Sequence, residues 1–168
     1  MGPDGRVVLA TDLSLVTQSD TVHMLEPLSP AVLSNPRREL HRARVSAGYE
    51  DVARDRFVLG DLEQSDVAVL PFAWEDTIGD AAKHSAAVSF ARAAAAAGRV
   101  TLVFCHHDDQ LPVDLPDAIV FRPSMFASTR SPYDIALPGW VPDVPAVEEF
   151  DPQPRPWSAV PTVSFWPW

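Results

Sequence analysis

Cysteine, glycine and positive charge are all scarce in this chain, and each scarcity removes a class of protein from consideration. The single cysteine, Cys105, has no partner for an intramolecular disulfide, so no covalent framework of the kind that staples small secreted folds is available. It sits in the apolar run Val103-Phe104-Cys105, which predicts a small buried side chain in preference to a reactive thiol. The seven glycines form no G-x-G-x-x-G fingerprint and no phosphate-binding loop, and neither G-x-S-x-G nor H-E-x-x-H occurs. A self-contained nucleotide site or serine-hydrolase site therefore has no motif to rest on. Against 13 Lys and Arg stand 23 Asp and Glu, a formal net charge of -10 that repels phosphate backbones and anionic headgroups. Nucleic-acid binding is not expected. The one basic cluster, Arg37, Arg38, His41, Arg42 and Arg44, reads as the solvated face of a helix. No run approaches the ~20 apolar residues that cross a bilayer. The start, Met1-Gly2-Pro3-Asp4-Gly5-Arg6, also lacks the basic and apolar regions of a secretory signal. No membrane insertion and a cytoplasmic location are the expectations.

What is present is a succession of short apolar runs. With 168 residues and 46% apolar composition, the chain suits one well-packed core. Arg6 to Asp12 reads as a first strand emptying into a loop, and Leu13 to Pro36 as a proline-broken connection with one short helical turn. Pro36 opens a helix over Arg37 to Tyr49 that Gly48 is expected to stop. Phe57 to Leu59 is a brief strand, and Asp61 to Asp66 a turn before the clearest strand, Val67 to Phe72. An apolar run without alternation is buried on both faces, as in a central parallel strand covered by helices. Pro71 marks its exit. Ala81 to Ala97 is the best helix, capped by Asp80 and stopped by Gly98. Arg99 to Cys105, Ala118 to Arg122 and Ile135 to Leu137 complete the strands. The pattern predicts an α/β fold, a Rossmann-like parallel sheet with flanking helices, over residues 1–145. A Pro/Trp-rich tail over 146–168 reads as a linker or strap, since proline is dense beyond Pro138 and four of the five tryptophans lie there.

Candidate site residues are those at strand exits, where parallel α/β sheets place ligand groups. Asp12 follows the first strand. His106-His107-Asp108-Asp109 follows the strand ending at Cys105, and its imidazoles and carboxylates suit either a divalent ion or a solvated loop cap. Adjacent residues on an extended chain point to opposite sides, and no second cluster completes a metal shell, so no metal site is assigned. Arg122, Ser124, Arg130 and Tyr133 cluster after a third strand, where hydroxyls and guanidiniums can hold a sugar or a carboxylate. A turn-rich loop with exposed arginines is the plainer alternative. Trp74 suits either a stacking surface for a sugar or core packing.

The order of three segments resembles the exostosin-like glycosyltransferase family. Asp61-Leu62-Glu63-Gln64-Ser65-Asp66 followed by Val67-Ala68-Val69-Leu70-Pro71-Phe72 is similar to the family's acidic turn and Pro-Phe-ending strand. Arg130-Ser131-Pro132-Tyr133-Asp134-Ile135-Ala136-Leu137-Pro138-Gly139-Trp140-Val141-Pro142-Asp143 resembles its aliphatic, Pro, Trp and Asp stretch. Arg155 to Phe165 is similar to the segment leading into the family's second domain. The resemblance implies the N-terminal, acceptor-side half of a two-domain glycosyltransferase-B-type fold that transfers a sugar from a nucleotide donor to a carbohydrate acceptor. In the family a glycine-containing turn follows, where this chain reads Trp166-Pro167-Trp168. The donor half is thus expected to be missing, the isolated chain to be an inactive truncation, and the nucleotide sugar to bind only with that half. The uncovered domain interface makes self-association an expectation as well. A stand-alone binding domain and a small metal-dependent hydrolase built on Asp12, His106, Asp108 and Asp109 remain the alternatives.

Overall fold

The computed structural model describes residues 4–16, 21, 22, 24–28, 47–107, 111–126, 128 and 130–137. The basic cluster at 37–44, Asp108, Asp109 and the Pro/Trp-rich segment lie outside the described residues. Among those described, six strands form one sheet: β1 (Val7–Ala10), β2 (Phe57–Leu59), β3 (Val67–Val69), β4 (Thr101–Phe104), β5 (Ala118–Arg122) and β6 (Asp134–Ala136). Their spatial order is β2-β1-β3-β4-β5-β6, and every neighbouring pair is parallel. This is a Rossmann-like α/β sheet, with its direction of winding reversing between β1 and β3. Register is fixed by pairs such as Leu9↔Val67, Val69↔Leu102 and Phe104↔Phe121.

Both faces of the sheet are buried, which is why the strands read as continuous apolar runs. One face carries Leu70, Val103, Cys105 and Val120 against Phe72, Trp74 and Ala87. The other carries Leu9, Val69 and Phe104 against Val22 and Leu25. There Phe104 and Phe121, opposite one another in the ladder, stack with ring centroids 4.9 Å apart.

Two helices are described, α1 (Ala47–Arg56) and α2 (Ala81–Ala96). The Asp80 carboxylate caps α2 by accepting from the Lys83 backbone N–H at 2.9 Å, and Gly98 follows its end at φ 69°. Ala87, Ala91 and Ala94, one stripe of the helix, are buried, and their small side chains let the helix lie close to the sheet. Gly48 does not stop a helix, contrary to the local signal: it is the second residue of α1. Good helix formers follow at Glu50, Ala53, Arg54 and Arg56, and Ala53 is fully buried, so packing outweighs one glycine's cost. The strand at Val67 also ends earlier than its apolar run, at Val69, although the Leu70 N–H still donates to the Leu102 carbonyl at 3.0 Å.

The connection from β4 to β5 has no helix among its described residues. Leu111, Val113 and Leu115 are half-buried and alternate with exposed Pro112, Asp114 and Pro116. This is the period of an extended chain laid on an apolar surface. Among the described residues, two side chains tie the strap down. The Trp74 Nε1–H donates to the Pro112 carbonyl at 3.1 Å, and Arg122 Nη2 donates to the Leu111 carbonyl at 2.7 Å.

Candidate functional site

In a fully parallel sheet every strand ends at the same edge, so the loops after β1, β3, β4 and β5 all open there. The point where winding reverses usually opens a crevice for a ligand. Here the chain occupies it. The Thr11 hydroxyl donates to the Val69 carbonyl at 2.9 Å, the Val22 N–H donates to the Pro71 carbonyl at 2.9 Å, and Val22 and Leu25 are fully buried beside Leu9. Asp12, at the same point, is exposed, and its Oδ1 accepts from the Ser14 N–H at 3.0 Å and the Ser14 hydroxyl at 2.5 Å. It is the cap of the short 3-10 turn Leu13–Leu15.

Farther along the same edge lie the ends of β4 and β5. Phe104 and Phe121 pair, so the residues that follow them, His106 and His107 on one strand and Pro123 and Ser124 on the other, leave the sheet side by side. Both histidines are exposed and Ser124 is half-buried. The backbone N–H groups of His106 and His107 both donate to Glu75 Oε1, each at 2.9 Å. Two successive amides of this kind make a small anion cradle. An internal carboxylate fills it, and Glu75 Oε2 is buried with no hydrogen-bond partner among the described residues. Glu75 did not stand out in the sequence, because nothing local signals a contact with amides 31 residues downstream.

Arg122 does not reach into solvent at the exit of β5. It is 5% exposed and turned back beneath the strap. Its Nε faces Asp134 Oδ1 at 3.5 Å and its Nη1 faces Cys105 Sγ at 3.5 Å. Asp134, also buried, accepts from the Ser131 N–H at 2.9 Å through its other oxygen. Burial pushes the Cys105 thiol up to about 12, with the Glu75 charge adding to the shift and Arg122 opposing it. The thiol is thus held protonated, as its place in the apolar run suggests. Trp74 is 5% exposed, its ring tilted against His84 at 5.5 Å, so core packing describes it.

A cavity of about 740 Å³ lies beside the strap. Leu111, Val113 and Leu115 form one wall, β5 contributes Ala118 and Val120, and the turn before β6 contributes Ser131 and Tyr133. Of the sequence candidates it brings together Arg122 and Tyr133; Asp12, Trp74, His106, Ser124 and Arg130 are not part of its lining. Arg130 is exposed, Tyr133 is 65% exposed, and Asp108 lies outside the described residues. Among the described residues, a polar strand edge at β4 and β5 and a mixed cavity on the sheet face are the candidate surfaces. No helix among the described residues is long and apolar enough to cross a membrane. Comparison with protein-family models, with curated proteins and with solved structures returns no match.

Proposed function

We propose that this chain is the acceptor-side domain of an exostosin-like glycosyltransferase, holding a carbohydrate acceptor along the open strand edge while a second α/β half holds the nucleotide-sugar donor. The observation that carries the reading is the side-by-side exit of β4 and β5. The exposed His106 and His107 and the half-buried Ser124 follow these two strands and make this edge a polar ledge, with Glu75 accepting from the two histidine backbone amides. Imidazole nitrogens and a hydroxyl donate and accept, which matches the mixed donor and acceptor pattern of sugar hydroxyls. The anion cradle at the end of β4 is filled from within. The ledge therefore suits an uncharged hydroxyl-rich ligand better than a diphosphate, consistent with donor recognition by another half.

Calorimetric titration of the full chain with a panel of oligosaccharides and with UDP-sugars tests this. One or more oligosaccharides are expected to bind saturably. The triple variant His106→Ala, His107→Ala, Ser124→Ala is expected to weaken that binding at least tenfold, at about 1 kcal/mol per hydrogen bond lost. UDP-sugars are expected to give no saturable heat. Absence of binding by every oligosaccharide, or tight binding of a UDP-sugar by this chain alone, contradicts the proposal.

A further inference from the structure

The cavity beside the strap has a structural origin. Neighbouring strands lie about 5 Å apart, and a crossover helix covers a strip about 10 Å wide. An extended strap covers roughly half of that. The remainder, over β5 and toward β6, is left as an indentation of about 740 Å³, within the range of small-molecule sites. It lies along the sheet face and reaches residues that precede β4, β5 and β6, namely Arg99, Asp117 and Ser131. The His106 and Ser124 ledge is not part of it.

The chemistry of the lining is specific. Leu111, Val113, Leu115 and Val120 provide apolar surface, and Tyr133 presents a ring that is 65% exposed despite having an apolar cavity at hand. Two guanidiniums, Arg99 and Arg122, are matched by two carboxylates, Asp117 and Asp134, so the lining is neutral overall. Arg122 and Asp134 are already paired and buried. A charged ligand would meet no net opposite charge there and would lose its hydration, and the whole chain at -10 repels anions. Asp117 is exposed, and its φ of 47° is a left-handed backbone that few residues other than Gly, Asn and Asp adopt, at the point where the chain turns into β5.

A lining that combines Tyr133 and apolar side chains with the polar groups of Arg99, Asp117 and Ser131 suits the two sides of a pyranose: its C–H face and its ring of hydroxyls. We infer that this cavity is a second carbohydrate subsite, selective for an uncharged sugar unit and separate from the strand edge. It rests on the carbohydrate reading above and adds to it a place where a longer acceptor is held away from the transfer end. Uronic and sulfated units are excluded from it on charge.

Amide chemical-shift mapping of the 168-residue chain tests the subsite without depending on a variant. The probes are maltohexaose, xylohexaose and N-acetylchitohexaose as neutral sugars and a heparin hexasaccharide as the anionic one. At least one neutral probe is expected to shift Ala118, Ser131 and Tyr133 as well as His106 and Ser124. Tyr133→Ala, at a position 65% exposed, is expected to weaken the cavity component roughly tenfold and leave the edge component unchanged. Shifts confined to His106, His107 and Ser124 overturn the subsite and keep the acceptor-edge reading. Shifts confined to the cavity keep the subsite and overturn the edge. Heparin shifts at the cavity equal to those of the neutral probes overturn its selectivity, and no shifts with any probe overturn both proposals.

Discussion

The two crossovers on either side of β4 solve one problem in different ways. From β3 to β4 the chain forms the 16-residue helix α2, whose buried alanines bring a full helix width onto the sheet. From β4 to β5 it lays an extended strap whose Leu111, Val113 and Leu115 cover only a narrow strip. Both connections join adjacent parallel strands. A sheet face therefore needs apolar area over it more than it needs a helix. Where the cover is thin, the residual space is lined by whatever the strap and the next turn supply. The helical side holds by many small contacts, whereas the strap side depends on a few polar anchors.

That difference sets the order of expected effects. Arg122→Leu removes the anchor of the Leu111 carbonyl and leaves the Asp134 carboxylate buried without its guanidinium. Breaking a buried pair from one side costs about 3–5 kcal/mol, so urea denaturation is expected to show a loss of that order. If the loss stays near that of a surface substitution, the strap does not depend on its polar anchors. On the helical side, Ala91→Leu forces bulk into a fully buried close approach and is expected to cost about 1–3 kcal/mol by the same assay. A neutral effect would mean that α2 is not held as tightly as its alanine stripe implies.

The smallest effect at neutral pH concerns Cys105, beneath the strap's anchors. Its folded-state value of about 12 lies above the ordinary 9.0, so the native state retains a proton that the unfolded chain releases. Stability from this group is fully present below pH 9, and is lost progressively as pH rises from there toward 12. Native Cys105 is accordingly expected to resist a thiol reagent at pH 8 and to react once the chain is unfolded in urea. Rapid modification of the folded chain would place the thiol nearer solvent than its 2% exposure allows.

What was legible in the sequence follows the range of the interaction responsible. β5 runs from Ala118 to Arg122, the span of its apolar pattern, and α2 begins after Asp80 and ends before Gly98, because strand burial and helix capping are local signals. The parallel sheet followed from runs buried on both faces. The strap shows a period-two pattern at Leu111, Val113 and Leu115, but Pro112 and Pro116 mask it as an ordinary loop. The passage of α1 through Gly48 depends on packing around Ala53, which no cap or stop residue announces. The site was less legible than the fold. Arg122 looked like a solvent-facing cation at a strand exit until its partners, Asp134 on the next strand and Leu111 on the strap, were in place. Glu75 was invisible for the same reason: its two amide donors come from another strand's end.

Hydrogen exchange of the full chain, with and without the oligosaccharide that binds it tightest, tests the central claim most directly. The account predicts added protection in peptides covering His106 and His107 and in those covering Ser124 to Phe126, with α1 and β2 unchanged. Binding that protects α1 and β2 and leaves the ends of β4 and β5 untouched would contradict it.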